Sequence, residues 1–124
     1  MTSKEVVQKV YEAFVAGDMD AFRALYHKDV AVKTNGMHKF SGTYNGFDAW
    51  LNNMVMHIPT HFDNFKVKPK LMVAEGDYVF ALTNGTANVM DADFGHLFKF
   101  EYEKITEFHI LDDSQKFTAT MKAL

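Results

Sequence analysis

Residues 95–113 read GHLFKFEYEKITEFHILDD, and their spacing decides the fold. His96, Phe98, Phe100 and Tyr102 fall on one face of a period-two run, with Leu97, Lys99 and Glu101 on the other. A second run opens at Ile105, and there Phe108 and Ile110 share a face with Asp112. Alternation of this kind marks half-buried strands. Glu101, Tyr102 and Glu103 between the runs read as a hairpin connection. One face of the first strand is thus aromatic and begins with a histidine, while the second strand ends in adjacent carboxylates. An apolar sheet face must be covered, and the chain before residue 95 supplies candidate helices to cover it.

The 124 residues fit one domain, expected to span 1–124. A 48% hydrophobic content with 12 Phe is enough for a sizeable core. The net charge of −3, without a basic block, argues against nucleic acid and against an anionic membrane surface. The absence of cysteine removes disulfides and thiolate chemistry. No apolar run approaches the ~20 residues of a membrane span. The opening MTSKEVVQKV reads as an amphipathic helix and not a signal peptide, so a soluble, cytoplasmic protein is expected.

Thr2 and Glu5 fit a capping box, and Val6, Val7, Val10, Tyr11 and Phe14 then repeat at helical spacing. Gly17 is the expected stop and Asp18 the next cap. A second helix is expected from 19 to about 26, with Phe22 and Leu25 inward. A short strand at Val30 and Val32 should end at Asn35-Gly36. Residues 37–46 read as irregular. Phe47, Leu51, Met54 and Ile58 mark a third helix, which Pro59 should terminate. A strand from Phe65 to Val73, a turn at Glu75-Gly76-Asp77 and a long strand over 78–90 follow, with a bulge or bend expected at Gly85. Asp91 to Asp93 reads as a turn, and 114–124 as a helical turn or tail. Helices segregated from an antiparallel sheet define α+β. A sheet of four or more strands curling around one long helix leaves a cone with an internal cavity.

Three stretches carry a family resemblance. VVQKVYEAFVAGDMDAFRALYHKDVAVKTNG resembles the opening of the nuclear transport factor 2-like superfamily, FSGTYNGFDAW a segment that follows it, and HLFKFEYEKITEFHILDD its final hairpin. The branch they resemble comprises the SnoaL-like and ketosteroid-isomerase-like proteins. The resemblance implies a cystatin-like conical α+β barrel, a homodimer, and a pocket between sheet and helices. It also implies no obligatory cofactor, and acid–base chemistry on a small apolar molecule by an isomerase, cyclase or hydratase. A ligand-binding or dimerisation module without turnover is the alternative. Ketosteroid isomerases carry a helix tyrosine where this chain has Val10, next to Tyr11. Their aspartate base corresponds to Thr34, and their second acid to Gly95 or His96. With that trio missing, a true ketosteroid isomerase is not expected. SnoaL-type cyclases place an acid–base aspartate after the last strand, at the spacing Asp113 has from Lys104.

Asp113 is therefore the first candidate for a general acid or base, against the plainer reading of a cap for the residues after it. Asp112 shares parity with Phe108 and Ile110 and is the alternative. His96 could shuttle a proton or polarise a carbonyl. His38 lies in a loop that the resemblance folds over the pocket, and Tyr11 is a possible donor from the first helix. Trp50, Met54, Phe80, Phe98 and Phe100 are candidate lining, each with ordinary core packing as the alternative. The other face of the long strands, with Val79, Ala81, Ala87, Leu97 and Ile105, is expected to meet a second copy. His57 and His61 stand four apart, but Pro59 between them precludes a regular helix carrying both, so no metal is expected. Asp91, Asp93 and Gly95 lack the glycine and terminal glutamate of a calcium loop.

Overall fold

The computed structural model describes residues 2–88 and 90–121. Helix α1, Ser3–Ala16, opens with the expected capping box: the Glu5 N–H donates to the Thr2 hydroxyl at 3.2 Å, and the Thr2 N–H to Glu5 Oε1 at 3.1 Å. It closes on Gly17, whose φ of 72° is left-handed. Val6, Val7, Val10 and Tyr11 form its buried stripe. Helix α2, Met19–Ala24, is capped by Asp18 and is shorter than expected, because Tyr26 already belongs to a strand.

Strand β1 runs Tyr26–Thr34 and β2 Gly42–Asn45, so part of the irregular stretch is in fact paired. The third helix is broken. Helix α3 covers Phe47–Asn53, a 3₁₀ turn Val55–His57, and α4 Ile58–His61. Pro59 sits in the first turn of α4, where its missing N–H costs nothing, so it starts a helical turn where a stop was expected. Strands β3, Lys66–Glu75, β4, Tyr78–Ala87, β5, Met90–Glu101, and β6, Lys104–Leu111, complete the sheet, and α5, Ser114–Thr120, follows. The expected turn at Asp91 to Asp93 lies inside β5. Val89, within the expected long strand, and 122–124, within the expected tail, lie outside the described residues.

The fold is α+β, with one curved, unclosed sheet in the order β2-β1-β6-β5-β4-β3. The sheet is mixed, since β1 runs parallel to β6. Across the last hairpin, Tyr102 and Glu103 take φ of 50° and 66°, the two positive values a two-residue turn needs to match strand twist. Tyr102 is therefore in the turn and 99% exposed, not on the aromatic face. Lys99 pairs with Glu107 and Phe100 with Ile105, so Thr106 is an extra residue on β6. That bulge lets Ile105 and Phe108 both face inward.

Register also decides which apolar face is inside. Ala81 pairs with His96 and Val79 with Phe98, whereas Phe80 pairs with Leu97. Directly paired residues share a face, so Val79 and Ala81 are core and Phe80 is outside. The expected partner-facing set is corrected accordingly: Val79, Ala81 and Ile105 are buried. The long strand does not bulge at Gly85. A side chain there would come within 2.5 Å of the Phe94 ring, and the shift falls instead between Pro69 and Leu71. Among the described residues, no helix is long and apolar enough to cross a membrane.

Candidate functional site

A cavity of about 70 Å³ lies between α1, the α3–α4 segment and the inner faces of β1, β5 and β6. Its wall is apolar for most of its extent, with Val10, Phe14, Phe22, Trp50, Met54 and Phe108 prominent. Four groups able to take part in proton chemistry also line it: Tyr11, Tyr26, His96 and Asp112.

Asp112 follows the last residue of β6. Asn35 holds it there: the Asp112 N–H donates to Asn35 Oδ1 at 3.0 Å, and Asn35 Nδ2 donates to the Asp112 carbonyl at 3.3 Å. These two bonds extend the β1–β6 pairing past the end of the strand. The parity of Phe108 and Ile110 then continues through Asp112, which is 8% exposed. One carboxylate oxygen, Oδ2, lies 2.9 Å from His38 Nε2. The other, Oδ1, is buried and has no hydrogen-bond partner among the described residues. Such a group is costly to bury unless something else meets it.

His38 reaches Asp112 from a tight turn. Its N–H donates to Ser41 Oγ, and Ser41 Oγ donates to the Asn35 carbonyl. The Phe40 N–H donates to His38 Nδ1 at 3.1 Å. Nδ1 is thus an acceptor, which leaves the ring proton on Nε2, facing the carboxylate. The ring also packs on Phe117 of α5, with centroids 4.7 Å apart.

Asp113 takes the capping role. Its carboxylate accepts the Lys116 N–H at 3.1 Å and does not line the cavity. It fixes the start of α5, and α5 places Phe117 against His38 and the cavity.

On the neighbouring strand, where His96 pairs with Ile110, Tyr11 Oη and His96 Nδ1 are 2.7 Å apart. Burial drives the His96 pKa down to about 3, so the ring is neutral, and pushes the Tyr11 phenol well above its ordinary value. Tyr26 is fully enclosed by Phe22, Phe47, Trp50 and Phe108. Its hydroxyl has no hydrogen-bond partner among the described residues, and burial raises its pKa as well. Met54 sulfur receives the Trp50 indole N–H at 3.3 Å and the Thr34 hydroxyl at 3.7 Å.

The candidates therefore separate. Tyr11, Trp50, Met54, His96 and Asp112 share the cavity wall. His38 is not part of that wall and touches Asp112. Phe98 and Phe100 face inward but stay in the core, and Phe80 lies on the outer sheet face. His61 is buried, with Lys39 Nζ 3.2 Å from its Nε2, while His57 is exposed on the 3₁₀ turn. Among the described residues, no three His, Asp or Glu side chains gather as metal ligands would. The sequence reading missed Tyr26, Phe22 and Phe117 as lining. Tyr26 shares parity with Val30 and Val32 and was legible once β1 is started at Tyr26. Phe117 carries no such signal.

A family model described as SnoaL-like domain matches residues 7–108. No curated protein matches the sequence. Among solved structures, Bal32a from a soil-derived mobile gene cassette is 19% identical, with a TM-score of 0.88, and the match covers 97% of this chain and 96% of that one. A nuclear transport factor 2-like protein of unknown function from Burkholderia pseudomallei is 23% identical, with a TM-score of 0.87, over 99% of this chain and 100% of the other. TerC co-crystallized with polyporic acid is 21% identical, with a TM-score of 0.82, over 95% and 96%. At these identities the likeness establishes the fold.

Proposed function

We propose that this chain, which belongs to the SnoaL-like family, is a cofactor-independent acid–base enzyme of the isomerase, cyclase or hydratase type that acts on a small, uncharged, apolar carbonyl compound. The observation that carries the reading is Asp112, a residue of the apolar cavity wall: His38 holds one carboxylate oxygen, and the other is buried with no hydrogen-bond partner among the described residues. In the proposed step, Oδ1 of the ionised carboxylate removes a proton from the carbon next to the carbonyl. The C–H electron pair forms the enolate C=C bond, and the carbonyl π pair moves onto oxygen. The Tyr26 hydroxyl, which has no hydrogen-bond partner among the described residues, donates a hydrogen bond to that oxygen. With a β,γ-unsaturated carbonyl compound the enolate is a dienolate: Asp112, whose acquired proton exchanges with solvent, protonates the γ carbon, the double bond moves into conjugation and the oxygen pair re-forms the C=O bond, so no oxidant, metal or cofactor is consumed. Positioned proton transfer of this kind contributes about 10²- to 10⁴-fold in rate. Polyporic acid seated with TerC lends support, as an organic molecule crystallised with a protein of this fold.

The test is deuterium exchange into small enolisable ketones and lactones in heavy water. Exchange above background by the wild type, lost in Asp112→Asn and kept in Asp113→Asn, supports the reading. Binding without exchange would replace it with the second reading, a ligand-binding module. Either reading requires side chains to move aside for a ligand larger than the cavity of about 70 Å³.

A second copy of this chain is the proposed cover for the outer sheet face. There Val73, Phe80, Leu97 and His109 form one cross-strand row, and Leu71, Leu82, Gly95 and Leu111 another. Leu71, Val73, Phe80 and Leu111 are exposed, a patch that supports a partner surface. A small molecule in the cavity and a second copy on the sheet are the only partners proposed, and the compartment proposed is the cytoplasm.

A further inference from the structure

We propose that Tyr11 is a positioning residue that fixes His96 in one tautomer, with the proton on Nε2, so that His96 serves as a hydrogen-bond donor to the oxygen of a bound carbonyl compound and not as a proton shuttle. This use of His96 rests on the acid–base reading above, but the tautomer itself is open to test without any substrate.

Tyr11 Oη and His96 Nδ1 are 2.7 Å apart and buried. A phenol is the better donor of the two groups and an imidazole nitrogen the better acceptor, so the phenol proton points at Nδ1. The neutral ring then carries its proton on Nε2. The hydrogen bond of the ring found among the described residues is the one at Nδ1, and the ring forms part of the cavity wall. The environment keeps it neutral. Its ring neighbours are Tyr11, Phe94, Phe98 and Phe108, and across the strands it pairs with Ala81 and Ile110, none of them a charge. Among the described residues the only carboxylate on the cavity wall, Asp112, has its Oδ2 turned to His38. A neutral imidazole N–H offers a developing enolate oxygen a hydrogen bond without having to release a proton, and the site needs no change in charge to do so. Asp112 then remains the only group of the site that exchanges a proton with the ligand.

The experiment is long-range proton–nitrogen NMR on protein labelled with ¹⁵N in its histidine rings, with the His96 signals assigned by their loss in His96→Gln. In the wild type, Nε2 is expected to show the protonated and Nδ1 the unprotonated signature, unchanged between about pH 8 and about pH 5. In Tyr11→Phe, the two nitrogen signals are expected to move toward each other as the tautomers mix. A wild-type ring protonated on Nδ1, or charged at about pH 5, overturns the proposal. So does a folded Tyr11→Phe protein whose His96 signals are unmoved. If Tyr11→Phe does not fold, the wild-type spectrum alone decides. Failure of deuterium exchange with a fixed Nε2–H tautomer removes the acid–base reading and leaves the tautomer assignment intact.

Discussion

His38 Nε2 stands 2.9 Å from Asp112 Oδ2, with the two side chains only 1% and 2% exposed, although 74 positions separate them in the chain. Neither group is stable there alone. Removing one partner of a buried pair leaves the other desolvated and unmet, a loss on the order of 3 kcal/mol or more.

A double-mutant cycle is the measurement this pair calls for. His38→Ala is expected to lower stability by about 3 kcal/mol, and the same change in an Asp112→Ala background by clearly less, with a coupling of about 1–3 kcal/mol. Denaturant unfolding reads both. Additive losses would mean that the two side chains do not interact. Asp113→Ala is expected to cost about 1 kcal/mol through loss of the α5 cap, and to leave deuterium exchange intact.

Stability should fall on the acid side because of His96. Its folded pKa, near 3, lies below the ~6.5 of an unfolded histidine. Between those values the unfolded chain binds a proton that the folded one does not. The contribution is complete above about pH 6.5 and is lost progressively as pH falls toward the folded value, at up to ~1.4 kcal/mol per unit. By about pH 4.5 the loss from this group is on the order of 3 kcal/mol. Urea midpoints at the two ends of that window, for wild type and for His96→Gln, should differ by less in the variant. An equal drop in both would remove His96 as the source.

Gly85 is held small by Phe94. A Cβ there would stand 2.5 Å from one ring carbon and 2.9 Å from another. Gly85→Ala must push this cavity-lining ring aside, so a loss of about 1–3 kcal/mol is expected, of the size seen on overpacking a core. Thermal melting reads it, and an unchanged midpoint would mean the ring moves freely.

The outer rows through Phe80 and Leu111 are expected to hold a dimer. Sedimentation at micromolar concentration should find two copies in the wild type, and one in Phe80→Glu with its far-ultraviolet dichroism retained. Gly95 lies under Phe80, where a Cβ would be 3.2 Å from the ring. A wild-type monomer ends the dimer proposal and leaves the cavity chemistry untouched.

Local signals in the sequence determined the helix caps, the last hairpin, the α+β class and the inward parity shared by Phe108, Ile110 and Asp112. Each of these rests on residues a few positions apart. Three things were settled only when distant segments met. Strand register turned Phe80 outward and Val79 and Ala81 inward, because both faces of β4 are apolar and parity alone cannot say which one is covered. The parallel pairing of β1 with β6 brought Asn35 to Asp112, and with it the choice between two adjacent aspartates, one set in the cavity wall and one spent on a helix cap. Folding back of the loop at His38 and of α5 completed the site with groups that carry no periodic signal. A buried polar atom is defined by what fails to reach it. The lone Oδ1 of Asp112 and the lone hydroxyl of Tyr26 are therefore properties of the assembled core and not of any stretch of the chain.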